Sequence, residues 1–166
     1  MKIAIISDTH DNLVNFKKAV DYLKKENIET VIHCGDVCTP KTLIDALEDF
    51  LGKIYITLGN CDELYFREKM IFDGLETKIW PDFGEISLDK KKIAFSHLPQ
   101  TAENLSKTKK YDLIFYGHSH KPWLENKEKT KIVNPGNLAG LIYKASFAVY
   151  DTKEDKLELK VLETIK

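Results

Sequence analysis

Arginine is almost missing from this chain. Of the 25 basic residues, Arg67 alone carries a guanidinium, and the other 24 are lysines. The planar, two-pronged grip that arginine offers to phosphate and carboxylate groups is therefore nearly absent. Cysteine is scarce as well. Cys34, Cys38 and Cys61 make an odd number with no paired spacing, which excludes a disulfide framework and suits a reducing compartment. No apolar run approaches the roughly 20 residues that span a bilayer. The opening Met1–Ile6 is too short for a secretory leader and meets polar Ser7 and Asp8 at once, so a cytoplasmic location is expected. Neither basic nor acidic residues dominate. A formal net charge of -1 supplies no general attraction to nucleic acid or to anionic membranes, and no stable complex with either is expected. Repeats, low-complexity tracts and linkers are also lacking.

What remains is a 166-residue chain, 43% hydrophobic and 31% charged, suited to one globular domain over residues 1–166. Short apolar runs alternate with longer amphipathic ones, the pattern of an α/β protein. Residues 2–7 read as a strand. Leu13, Phe16, Ala19, Val20 and Leu23 recur at helical spacing, which predicts a helix over 13–26. Val31–Cys34 reads as a strand. Thr39 and Pro40 open a second helix as N-cap and first residue, running to about Leu51 and closed by Gly52. Ile54–Leu58 is a third strand, with a helical stretch from about Glu63. The second half reads differently, with strands inside 77–96 that include Gly84–Leu88 and Lys92–Ser96. A helix is expected over 101–109 and a buried strand at Leu113–Tyr116. Beyond Lys131 come only strands, at Ile132–Val133, Ser146–Tyr150 and Leu157–Leu162, the last two joined by a turn at Thr152–Lys156. A parallel α/β half joined to a more antiparallel half predicts two mixed sheets packed face to face as a sandwich, with helices outside.

Open α/β sheets bind ligands at the carboxyl ends of their strands. Here those ends carry Asp8-Thr9-His10, Gly35-Asp36, Gly59-Asn60-Cys61-Asp62, Ser96-His97 and Gly117-His118-Ser119-His120. Residues two apart in extended backbone point the same way, so Asp8 and His10 can meet one cation, as can His118 and His120. Glycines before Asp36, Asn60 and His118 let the backbone turn sharply. Each block alone has an ordinary reading: a Gly-Asp or Gly-Asn turn, or a hydrogen-bonded core histidine. Together they place four of the five histidines at strand ends. Asp, His and Asn donors without thiolate suit Mn²⁺, Fe²⁺, Co²⁺, Ni²⁺ or Zn²⁺. Seven donors exceed the needs of one tetrahedral ion and suit two ions that share a carboxylate.

In this order the five blocks resemble the signature of the calcineurin-like metallophosphoesterases. The short length and the Asn134-Pro135-Gly136 that follows look like the small bacterial and archaeal phosphodiesterase branch, to which a retromer scaffold subunit is also related. The resemblance implies a metal-dependent phosphodiesterase with two divalent ions, Mn²⁺ or Ni²⁺ foremost. Asp8, His10 and His120 would hold one ion, Asn60, His97 and His118 the other, and Asp36 would bridge them. A hydroxide between the ions would attack a small phosphodiester substrate, and Asn60 would touch a phosphate oxygen. Alternatives are a phosphomonoesterase or phosphoprotein phosphatase, which the scarcity of arginine disfavours, and a scaffold that retains its metal site. Many members carry histidine after the Gly-Asn pair, and here the residue is Cys61. Leaving-group protonation is thus open between Cys61, Asp62 and water.

Other residues are read more plainly. His33 is expected to pack or to support a ligand, and the cysteines to be small buried residues. Asn134-Pro135-Gly136 shapes a wall of the site or a tight turn. Arg67 reaches a substrate phosphate or forms a surface ion pair. Tyr65, Phe66, Trp80 and Trp123 line a groove or fill the core. Exposed sheet edges leave room for a homo-oligomer.

Overall fold

The computed structural model describes residues 1–62 and 76–165. The helical stretch expected from Glu63, with Tyr65, Phe66 and Arg67, lies outside the described residues.

The first half alternates strand and helix: β1 (Lys2–Ile6), α1 (Leu13–Lys25), β2 (Thr30–His33), α2 (Pro40–Leu47) and β3 (Lys53–Thr57). Then come β4 (Glu76–Trp80), β5 (Phe83–Leu88), β6 (Lys91–Ser96), α3 (Pro99–Lys107) and β7 (Leu113–Phe115). The chain ends in β8 (Trp123–Lys127), β9 (Thr130–Asn134), β10 (Ser146–Asp151) and β11 (Lys156–Val161). One sheet runs β11-β10-β1-β2-β3-β4 and the other β5-β6-β7-β9-β8. Strands β1 to β4 are mutually parallel, as are β6, β7 and β9. Antiparallel strands flank each parallel block.

Three apolar layers follow from this order. Phe16, Ala19, Val20 and Leu23 of α1 and Leu43, Ala46 and Leu47 of α2 cover the outer face of the six-stranded sheet. Ile3, Ile5, Ile32, Phe95, Phe115 and Tyr150 meet between the sheets. Ala102 and Leu105 of α3 cover the outer face of the five-stranded sheet. The architecture is therefore the expected sandwich of two mixed sheets with helices outside. Trp80 packs into the middle layer, edge-on to Phe95 with ring centroids 5.3 Å apart. Among the described residues no helix is long and apolar enough to cross a membrane.

Two helix boundaries and one whole strand depart from the sequence reading. The second helix stops at Leu47, short of Leu51. Glu48 and Asp49 would place acid at the negative end of its dipole, and Phe50 instead turns back into the core. The third helix opens at Pro99, its first residue, where a missing N–H costs nothing. Strand β8 was not expected at all. Its Glu, Asn and Lys disfavour strands, it borders the sheet and pairs only with β9, and its Trp123 is half exposed beside Lys121.

Candidate metal centre

The carboxyl ends of β1, β2 and β3 in one sheet meet those of β6, β7 and β9 in the other. The loops after them are tied by backbone hydrogen bonds. Asp8 N–H donates to Gly35 O at 3.0 Å, His10 N–H to Asp36 O at 3.0 Å, and Gly117 N–H to His97 O at 3.0 Å. Asp8, His10, Asp36, His118 and His120 all have φ between +44° and +67°, a region most residues avoid. So Asp8 and His10 do not meet through the alternation of an extended strand. They meet because both residues are held in left-handed turns. Space also matters at two glycines. A Cβ on Gly59 would stand 2.1 Å from Asp36 Oδ1, and one on Gly117 would stand 1.9 Å from Ser7 Oγ.

The seven predicted residues come together in two groups. In the first, His10 Nε2 lies 3.2 Å from His120 Nε2, and His120 Nε2 lies 3.3 Å from Asp8 Oδ1. In the second, Asn60 Oδ1 lies 2.9 Å from His97 Nε2 and 3.0 Å from His118 Nδ1, and those two nitrogens are 3.2 Å apart. Asp36 Oδ2 stands between the groups, 3.4 Å from His97 Nε2 and 3.8 Å from His10 Nε2. Metal bonds of about 2.0–2.2 Å meeting at right angles would set neighbouring donor atoms about 3 Å apart.

The protonation pattern favours cations. His97 Nδ1 lies 2.9 Å from the Cys34 carbonyl. A carbonyl only accepts, so Nδ1 carries a proton and Nε2 is the nitrogen turned to the Asn60 and Asp36 oxygens, where a cation would be shared between them. Asp8 and Asp36 are buried, and among the described residues no lysine or arginine pairs with either. Burial, opposed by Ser7, His97 and the His118 N–H, pushes the Asp8 carboxyl up to about 7. Buried carboxylates facing ring nitrogens, with no lysine or arginine paired to them among the described residues, suit divalent cations.

Supporting residues hold this arrangement. His118 N–H donates to both Asp8 oxygens at 3.1 Å. Asp62 Oδ2 accepts from Gly59 and Asp36 N–H at 2.7 and 3.0 Å, and its Oδ1 from Cys38 N–H at 2.8 Å. Its carboxylate thus faces three backbone amides. His33 is buried and neutral, held down to about 3 by burial. Its Nδ1 accepts from Gly35 N–H, so Nε2–H donates to Thr9 Oγ1 at 2.9 Å. Asn134 donates to Gly117 O and accepts from Gly136 N–H, making the Asn-Pro-Gly segment both a turn and a brace. Asn137, which the sequence reading passed over, donates to His120 O at 3.2 Å. His120 Nδ1 is buried without a hydrogen-bond partner among the described residues.

Cys34 is buried, Cys38 half-buried and Cys61 exposed. Burial and nearby acidic groups push the Cys38 thiol up to about 12 and raise Cys61 as well.

The chain is similar to known proteins along nearly its whole length. The chain is 35% identical to Phosphodiesterase MJ0936 of Methanocaldococcus jannaschii, over 98% of this chain and all of that protein. A solved archaeal phosphodiesterase superposes with a TM-score of 0.84 at 30% identity, covering 97% of this chain and 99% of that one. The Zn²⁺ complex of Vps29 from Entamoeba histolytica shares the fold, with a TM-score of 0.68 at 18% identity over 98% of this chain and 99% of that one. Residues 1–155 match the calcineurin-like phosphoesterase superfamily domain, and the chain belongs to that family.

Proposed function

We propose that the chain is a metal-dependent phosphodiesterase with two divalent ions, Mn²⁺ or Ni²⁺ foremost and Fe²⁺, Co²⁺ or Zn²⁺ as further candidates. The observation that carries this reading is the convergence of six donors in two groups of three flanking a seventh, the buried carboxylate of Asp36. Asp8, His10 and His120 would hold one ion, and Asn60, His97 and His118 the other. Such a pair supplies Lewis-acid stabilisation of the phosphoryl oxygens and a nucleophile from water at neutral pH.

The chain's own residues set the rest. Asn60 is oriented with its amide nitrogen 3.4 Å from Cys61 Sγ, at the open side where a phosphate oxygen can be met. Asp62 acts by fixing the backbones of Asp36, Cys38 and Gly59. No imidazole follows Asn60 to protonate the departing oxygen, and the Cys61 thiol in its place is a weak acid. Esters with good leaving groups should therefore react far faster than alkyl esters. The chain holds a single arginine, too few for the several guanidinium contacts that would grip a monoester dianion, which favours diesters.

The test is hydrolysis of bis(p-nitrophenyl) phosphate beside p-nitrophenyl phosphate, by chelated protein given single metals in turn. Metal-dependent turnover favouring the diester is expected, with Asp36→Asn lowering it by at least about 10²-fold. Preference for the monoester would replace this reading with a phosphatase. Bound metal without turnover would replace it with a scaffold.

A further inference from the structure

The two outer cysteines lie against the back of the first donor group. Cys38 Sγ is 3.6 Å from His10 Nδ1, and the ligand atoms of His10, Cys38 and Cys61 all lie within 4.8 Å of one another. Bonds of about 2.3 Å to sulfur and about 2.0–2.1 Å to imidazole nitrogen, opened to the tetrahedral angle, put the two donors about 3.6 Å apart. The nitrogen-to-sulfur distance already has that value.

Both cysteines are held in place by the carboxylates that organise the centre. Asp62 Oδ1 accepts from Cys38 N–H and Asp36 Oδ1 from Cys61 N–H, each at 2.8 Å. Cys38 is kept at φ +79°, a backbone conformation that costs a non-glycine residue and persists where the surroundings enforce it. The result is a preset pair of soft donors facing the ring nitrogen that the candidate hydrolytic centre leaves over.

We propose that His10 Nδ1, Cys38 and Cys61 form a third cation site, selective for thiophilic ions such as Zn²⁺ or Cd²⁺. Each thiol yields its proton to solvent as it binds. Exposure of Cys61 leaves the fourth coordination position to water or to a small anion. A neutral imidazole has one lone pair, and His10 Nε2 is turned toward His120 and Asp8. An ion at the thiols therefore competes for the His10 ring with an ion held by Asp8 and His120. That competition, unlike the site itself, rests on the reading of His10 as a ligand of the hydrolytic centre. It makes the thiol site an inhibitory one.

The experiment titrates the chelated, phosphine-reduced full chain with Cd²⁺ and follows the ultraviolet thiolate-to-cadmium charge-transfer band. A band that saturates at one ion per chain and is lost in Cys38→Ser and in Cys61→Ser is expected. Alkylation mapped by peptide mass, which needs no variant, should show Cd²⁺ protecting Cys38 and Cys61 together. Absence of the band, its survival in the double variant, or equal alkylation with and without Cd²⁺ would overturn the site. Band growth that leaves Mn²⁺-supported diester hydrolysis undiminished would overturn the competition alone.

Discussion

Replacing Asp8 with Asn isolates the electrostatic cost of assembling the centre without metal. Burial raises the Asp8 carboxyl from 3.8 to about 7. In the unfolded chain the group ionises near the lower value, and in the folded protein it keeps its proton until the higher one. Between them the folded state binds more protons, so stability falls as pH rises through the window and levels off above about 7. The full penalty is on the order of 4 kcal/mol. The Asn side chain carries no such penalty. Chelated Asp8→Asn should therefore gain on wild type by about 3 kcal/mol between about pH 4.5 and about pH 7.5. Urea unfolding of both proteins across that range measures the difference, in which titrating groups that do not interact with Asp8 cancel. Adding Mn²⁺ at neutral pH should narrow or reverse the difference, because wild type offers two donor groups and the variant keeps intact only that of Asn60, His97 and His118. A difference that stays constant with pH, or shrinks as pH rises, would refute the reasoning.

His33 carries the opposite sign. Held at about 3 in the folded protein against 6.5 unfolded, it costs stability as pH falls below about 6.5, and His33→Gln should flatten that loss in denaturant midpoints. Asp62→Ala strands the N–H groups of Gly59, Asp36 and Cys38 and should cost on the order of 3 kcal/mol in urea unfolding, with Asp62→Asn recovering part. Gly117→Ala would set a methyl group 1.9 Å from Ser7 Oγ and 2.8 Å from Asp8 Oδ2. Calorimetry should show metal affinity reduced by about 10–100-fold, as when ligand supports are lost.

The sandwich was legible because β1 to β3 and β10 are nearly continuous apolar runs separated by amphipathic helices or turns. The donor blocks were legible because they follow those runs directly, at the ends where α/β sheets bind ligands. His33 was expected to pack or to support a ligand, but the partners of the supports were not legible, since they lie away along the chain. His33 holds Thr9, 24 residues away, and Asn137 holds His120 across 17. The same limit hid the thiol cluster. Cys38 and Cys61 have no spacing that suggests a pair, and only the packing of the loops after β2 and β3 brings their sulfurs to one ring. Strand β8 escaped because an edge strand needs apolar residues on one face at most, so Trp123–Lys127 carries little periodic signal.

The donors come from loops of both sheets, and the contact from His118 N–H to the Asp8 carboxylate spans 110 residues. No pair of neighbouring strands can assemble this set alone. Closing so long a stretch of chain is entropically slow, so the cavity for the ions is completed only when the two sheets have docked. Metal binding would then be a late clasp on a nearly finished structure. An interaction made after the folding barrier acts on the rate of unfolding and leaves the rate of folding almost untouched. Ions held there would then lengthen the life of the folded chain, independently of any chemistry they perform.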